Sequence, residues 1–134
     1  MEPVFILVRP QLGENIGSSA RAMLNFGLNN LRIVKPRDGW PNPRAKALAS
    51  GAGSVLDSAI IYNSVKDACD DLNYVFASSA RERKLDKEEI SLERSLFECQ
   101  KHFDQGLKVG FLFGPEQSGL SNNDIAFADK IVFL

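Results

Sequence analysis

Hydrophobic and polar positions along this chain follow two periods in turn. Short apolar runs of the kind that form strands buried on both faces occupy residues 4–8, 31–34, 59–62, 74–77, 109–113 and 131–134. Segments with helical spacing separate them. The first covers 15–26, where Gly27 takes the position of a left-handed cap and Leu28 that of its hydrophobic follower. A second, short one covers 44–50 and ends at Gly51. A third opens at Ser64-Val65-Lys66-Asp67, which resembles a capping box, and runs to about Leu72. A fourth covers 92–103, with Leu92, Leu96, Phe97 and Phe103 on or near one face, and Ser121-Asn122-Asn123-Asp124 caps a last short helix. Residues 78–89 are charged and read as an exposed loop. Strand and helix alternate without internal repeat, which predicts one α/β domain built on a mostly parallel sheet with helices on both faces.

Composition narrows the function classes. With a net charge of −1 the chain as a whole is not a basic nucleic-acid binder. The charge is uneven, however: up to residue 50 there are Arg9, Arg21, Arg32, Lys35, Arg37, Arg44 and Lys46 against Glu2, Glu14 and Asp38. Such a local basic face suits phosphate whatever the total. No apolar run approaches the ~20 residues that span a bilayer. The start, Met1-Glu2-Pro3, lacks the basic segment of a secretory signal. Cys69 and Cys99 fit no metal or redox spacing, and His102 is the lone histidine, so no metal site is expected and reduced thiols in a cytoplasm are.

Three segments carry chemistry, each just beyond a predicted strand, where open α/β sheets bind ligands. In Gln11–Arg21, Asn15 and Arg21 lie six apart on one helix, with Gly17, Ser18, Ser19 and Ala20 between them leaving room for another surface. The pair reads either as a helix cap with a solvated arginine or as a clamp on phosphate and ribose. In Ala77-Ser78-Ser79-Ala80-Arg81-Glu82-Arg83-Lys84, small residues at a strand end leave the backbone open beside positive charge; a solvated loop and a phosphate site are both open readings. In Phe113-Gly114-Pro115-Glu116-Gln117-Ser118-Gly119-Leu120, neither a Walker loop nor a dinucleotide fingerprint is present, but a carboxylate, Glu116, stands on a stiff turn.

Taken in order, Asn15-x-Gly17-x-x-x-Arg21, the Ser78–Arg81 loop and Phe113-Gly114-Pro115-Glu116 with Gly119-Leu120 resemble the SpoU/TrmH class of SPOUT RNA methyltransferases over essentially the whole chain. Val8-Arg9-Pro10-Gln11 and Pro36-Arg37-Asp38-Gly39-Trp40-Pro41 are similar to its TrmJ branch, which methylates the ribose 2′-hydroxyl of nucleotide 32 in the tRNA anticodon loop. The resemblance implies S-adenosylmethionine as methyl donor, a homodimer, and no metal. It implies a cofactor pocket at Ser78, Ser79, Ala80, Gly114 and Leu134. It casts Arg21, supplied by the partner subunit, with Asn15 and Glu116 as the catalytic set, and Arg9, Arg21, Arg81, Arg83 and Lys84 as RNA contacts. Ribosomal RNA is the alternative substrate.

The resemblance also implies a C-terminal trefoil knot, whose third motif should begin just after Leu134. On this reading residues 1–134 are a SPOUT domain lacking its knot-forming segment, expected to bind cofactor poorly. A non-catalytic RNA-binding remnant and an inert folded fragment are the further alternatives.

Overall fold

Every apolar run becomes a strand of one sheet. A computed structural model of the chain describes residues 2–80 and 85–133. Its strands are β1 (Val4–Val8), β2 (Leu31–Val34), β3 (Ile60–Tyr62), β4 (Tyr74–Ser79), β5 (Glu89–Ser91), β6 (Val109–Phe113) and β7 (Lys130–Phe133). The helices are α1 (Gly13–Asn25), α2 (Pro43–Ala49), α3 (Gly53–Asp57), α4 (Val65–Cys69), α5 (Leu92–Asp104) and α6 (Asn122–Ile125). The strand order is β3-β2-β1-β6-β4-β7-β5, and every pairing is parallel.

Alternation along each strand divides the core. Val4, Ile6 and Val8 of β1 face α4 and α6, with Val75, Ala77, Leu112 and Ile131. Phe5 and Leu7 face the other side, where α1, α2 and α3 cover β2 through Ile16, Ala20, Ala45 and Val55. On that same side α5 covers β4, β6 and β7 through Cys99 and Phe103, over Phe76, Phe111 and Val132. A parallel sheet must be covered on both faces; the central strands of this one are, while Ile60 and Ile61 of the edge strand β3 stay exposed.

Local signals fix the helix ends. Gly27 has φ +72, its amide donates to the Leu24 carbonyl, and the Leu28 amide donates to the Met23 carbonyl, the Schellman pattern that the sequence announces. Asn42 caps α2, accepting from the amides of Arg44 and Ala45. Ser121 and Asp124 form a complete capping box, whereas Ser64 accepts from the Asp67 amide.

Four expectations are corrected. Helix α1 starts at Gly13, so Asn15 stands inside its first turn rather than capping it. Ser78 and Ser79 belong to β4 and Glu89 to β5, so 78–89 is not loop throughout. The short helix α3 follows Gly51–Ala52, where no helix is expected. On α5 the residues pressed to the sheet are Ser95 and Cys99, while Leu92, Leu96 and Phe97 are more than half or about half exposed.

Candidate active site at the switch point of the sheet

The chain leaves β1 for α1 on one face and leaves β6 towards α6 on the other. Neighbouring strands whose connections part in this way open a crevice at their carboxyl ends. Two loops line it: residues 9–12 after β1 and residues 114–120 after β6.

Glu116 joins the two loops. Leu12, at the N-cap of α1, offers no side-chain acceptor to the helix. The Glu116 carboxylate instead braces the residues just before the helix, accepting from the Gln11 amide at 3.0 Å and the N-cap Leu12 amide at 3.0 Å. The Gln117 amide donates in turn to Gln11 Oε1 at 3.3 Å. An anion at a helix N-terminus is stabilised by the free amides and by the helix dipole. Glu116→Gln is therefore expected to lower Tm by about 2–4 °C, because the amide keeps one acceptor but loses the charge. Hydrogen exchange at Gln11 and Leu12 should quicken; unchanged protection at both amides would refute the brace.

A second tie lies deeper. Arg9 adopts φ +46, and its guanidinium forks onto Asp124 with Nη1–Oδ1 3.1 Å and Nη2–Oδ2 2.5 Å. Asp124 is nearly buried, and burial pushes its carboxyl upward. The bonds from Arg9 and from the Ser121 amide and hydroxyl outweigh that burial and hold it below its ordinary value. The same fork raises Arg9.

Gly114 shows why the turn carries glycine. A Cβ there would stand 2.3 Å from the Leu120 nitrogen and 2.4 Å from the Gly119 carbonyl carbon. The loop folds back onto itself at that point, with Gly119 at φ +68 and its amide bonded to the Pro115 carbonyl. Gly17 has a different neighbour: a Cβ would stand 2.3 Å from the Ala45 oxygen, so the surface that its small side admits is α2.

The structure brings some expected residues together and separates others. The β4–β6 register runs through Ala77 and Leu112, so two steps on Ser79 stands level with Gly114; β7 pairs Ser78 with Val132 and Ser79 with Phe133. Ser78, Ser79, Ala80 and Gly114 thus share one edge. Asn15, Gly114 and Glu116 line the rim of one cavity of about 390 Å³, whose floor is apolar: Phe5, Leu7, Phe113 and Met23. Arg21 is not there. Six residues from Asn15 is about 240° around a helix, and Arg21 is exposed, with no hydrogen bond or ion pair to a described residue. Arg9, expected as an RNA contact, spends two of its five donors on Asp124, and its side chain is 41% exposed. Arg81, Arg83, Lys84 and Leu134 lie outside the described residues.

Sequence reasoning missed Asp124 as part of this site. Its box with Ser121 is legible, but nothing local announces the arginine that it meets. Burial pushes both thiols, Cys69 and Cys99, up to about 11, so neither is a nucleophile at neutral pH. No group of side chains suited to a metal occurs among the described residues.

Residues 2–134 match the sequence model of the SpoU rRNA Methylase family. The chain belongs to that family. It is 33% identical over 120 residues to the tRNA (cytidine/uridine/adenosine-2'-O-)-methyltransferase TrmJ of Pseudomonas aeruginosa, covering 90% of this chain and 46% of that one. It is 35% identical over 130 residues to the tRNA (cytidine-2'-O-)-methyltransferase TrmJ of Methanocaldococcus jannaschii, covering 95% and 55%. Among solved structures, TrmJ from Z. mobilis ZM4 superposes with a TM-score of 0.92 at 48% identity, over 100% of this chain and 59% of that one. The chain thus spans about half the length of the curated relatives it matches. Within this SpoU domain, the Gly114 turn, Glu116 and the first turn of α1 form one connected unit at the switch point.

Proposed function

We propose that the chain is the catalytic domain of an RNA 2′-O-methyltransferase that uses S-adenosylmethionine and acts on tRNA, at the ribose of anticodon-loop nucleotide 32. The observation that carries this reading is the shared edge of Ser78, Ser79, Ala80 and Gly114, with Gly114 also lining the cavity of Asn15 and Glu116, in a chain of this family.

The edge fits such a cofactor on its own chemistry. Hydroxyls and backbone groups at parallel strand ends give an adenosine uncharged donors and acceptors, and none of these four residues is a cation that would repel a sulfonium. When bound, S-adenosylmethionine supplies a methyl group on a positively charged sulfur. The remaining work is positioning. Asn15 presents an amide, donor and acceptor together, at the rim where a ribose would stand. Glu116 fixes the entry to the helix that carries Asn15. Arginine is a poor base, so the role of Arg21 is to hold phosphate and to stabilise the charge that develops on O2′ as its proton leaves. Arg81, Arg83 and Lys84 belong to the same reading as RNA-backbone contacts, and Leu134 as the cofactor's edge.

The reading includes a homodimer. Arg21 is turned away from Asn15 and Glu116 of its own chain, and the C-terminal end of α1 exposes Leu24 and the following Phe26. A second copy of the chain placed against α1 brings one protomer's Arg21 to its partner's site. No helix among the described residues is long and apolar enough to cross a membrane; with tRNA as substrate, the place of action is the cytoplasm.

Calorimetric titration of S-adenosylhomocysteine, with labelled methyl transfer to unmodified tRNA and to ribosomal RNA fragments, tests this. Against the poor cofactor binding expected from the sequence, this reading expects micromolar binding and label in tRNA. Arg21→Ala should cut transfer by about a hundredfold while cofactor affinity stays level. Label in ribosomal RNA alone would move the substrate to the class that the family's description names. A folded chain that neither binds nor transfers would overturn the reading.

A further inference from the structure

Arg9 is forked onto Asp124, and the more exposed cations of the basic first third of the chain lie elsewhere. Between Lys35 and Lys46, the link from β2 to α2 and the start of α2 together carry four cations (Lys35 and Arg37 in the link, Arg44 and Lys46 in the helix) against one acid, Asp38. Arg37 is paired with that acid at 3.1 Å. Lys35 and Lys46 have no ion pair to a described residue. Arg44 has a side chain 75% exposed, and its nearest carboxylate, Glu14, stands at 3.9 Å, beyond a hydrogen bond.

The link is fastened to the candidate site. The Arg37 amide donates to the Pro10 carbonyl at 3.0 Å, and Asn42 packs so closely on Gly13 that a Cβ there would meet its side chain at 2.5 Å. It therefore stands at the carboxyl edge of the sheet, beside the β1–α1 loop. In its middle lies the sole tryptophan. Trp40 lines a surface cavity of about 300 Å³ together with Pro41, Asn42, Lys46, Leu56 and Asp57. An aromatic ring in a hollow with a lysine at the rim, flanked by an exposed arginine fork held only loosely by Glu14, suits a nucleobase followed by its phosphates. Stacking takes any base, and the cations track the backbone. Asp57 sets an opposing charge at one wall and favours a base over a phosphate inside the cavity.

We propose that residues 35–46 form a second RNA-contact surface, with a nucleobase stacked on Trp40 and the adjoining phosphates held by Lys46 and Arg44. This rests on the RNA reading above and extends it to a surface that carries none of the residues of the methyl-transfer site.

Because Trp40 is the lone tryptophan, its emission reports on this surface and on no other. The experiment titrates an unmodified tRNA transcript into the full chain, following Trp40 fluorescence in parallel with retention of the RNA on filters. The expected result is quenching by about half or more that tracks retention. Arg44→Ala and Lys46→Ala should each weaken retention about three- to tenfold, with a shallower salt dependence and unchanged Tm. Trp40→Phe should keep most of the affinity that Trp40→Leu loses. Retention with unaltered Trp40 emission, and with both cation variants binding as the parent does, overturns the proposal and leaves the RNA reading standing. No retention at any salt overturns both.

Discussion

Gly114→Ala is expected to lower Tm by about 5–10 °C and to weaken S-adenosylhomocysteine binding at least about tenfold. The methyl group would stand 2.3 Å from the Leu120 nitrogen, 2.4 Å from the Gly119 carbonyl carbon and 2.9 Å from the Gly119 Cα. All three are backbone atoms, so no side chain can swing aside. The loop itself must move, and with it the strand end that stands level with Ser79. Overpacking of this kind costs about 1–3 kcal/mol. A thermal melt and a cofactor titration on the same preparation check it. A variant that melts with the parent would show that the loop opens freely at this point, and the reason given for glycine would be wrong.

Asp124→Ala is expected to cost about 3 kcal/mol, near 10 °C in Tm, because it removes two things at once. It strips the fork from Arg9, whose side chain is partly shielded, and it breaks the capping box that starts α6. The pH dependence follows from the direction of the shift. Asp124 is held below its ordinary value in the folded chain, so its contribution is present above the unfolded carboxyl value and is lost as pH falls through the folded one. Melts of parent and variant should therefore lie far apart at pH 7 and converge in acid. A constant gap down to pH 3 would mean that packing, not the charge, carries the effect.

Six strands were legible because five carry an unbroken apolar run and the sixth, β2, is interrupted only by Arg32. β5 was not, since Glu89-Ile90-Ser91 holds one apolar residue and owes its pairing to Ile131, Val132 and Phe133 beside it. Helix α5 misled for a related reason. Its largest apolar residues imply a buried face, yet Lys130 drawn to Glu98 at 2.7 Å and Tyr74 stacked on His102 turn the helix so that Ser95 and Cys99 meet the sheet. At the site, the positions of Asn15, Gly114 and Glu116 beyond strand ends were readable as polar segments after apolar ones. Their connections were not. Glu116 binds backbone amides, which leave no mark in a sequence, and Arg9 meets a partner more than a hundred residues away.

The order of the strands also sets an order of assembly. β1, β2 and β3 are made in sequence and lie side by side, so this half can close, with α1 to α3 against it, while the chain is still emerging from the ribosome. The other edge of β1 must wait: Val4 pairs with Gly110, on the order of 5–20 s later at ordinary rates of translation. β4 waits for β6 as well, and β5 for β7. During that interval the nascent half-sheet shows an unpaired edge of Phe5, Ile6 and Leu7, the strand most in need of shelter from other chains.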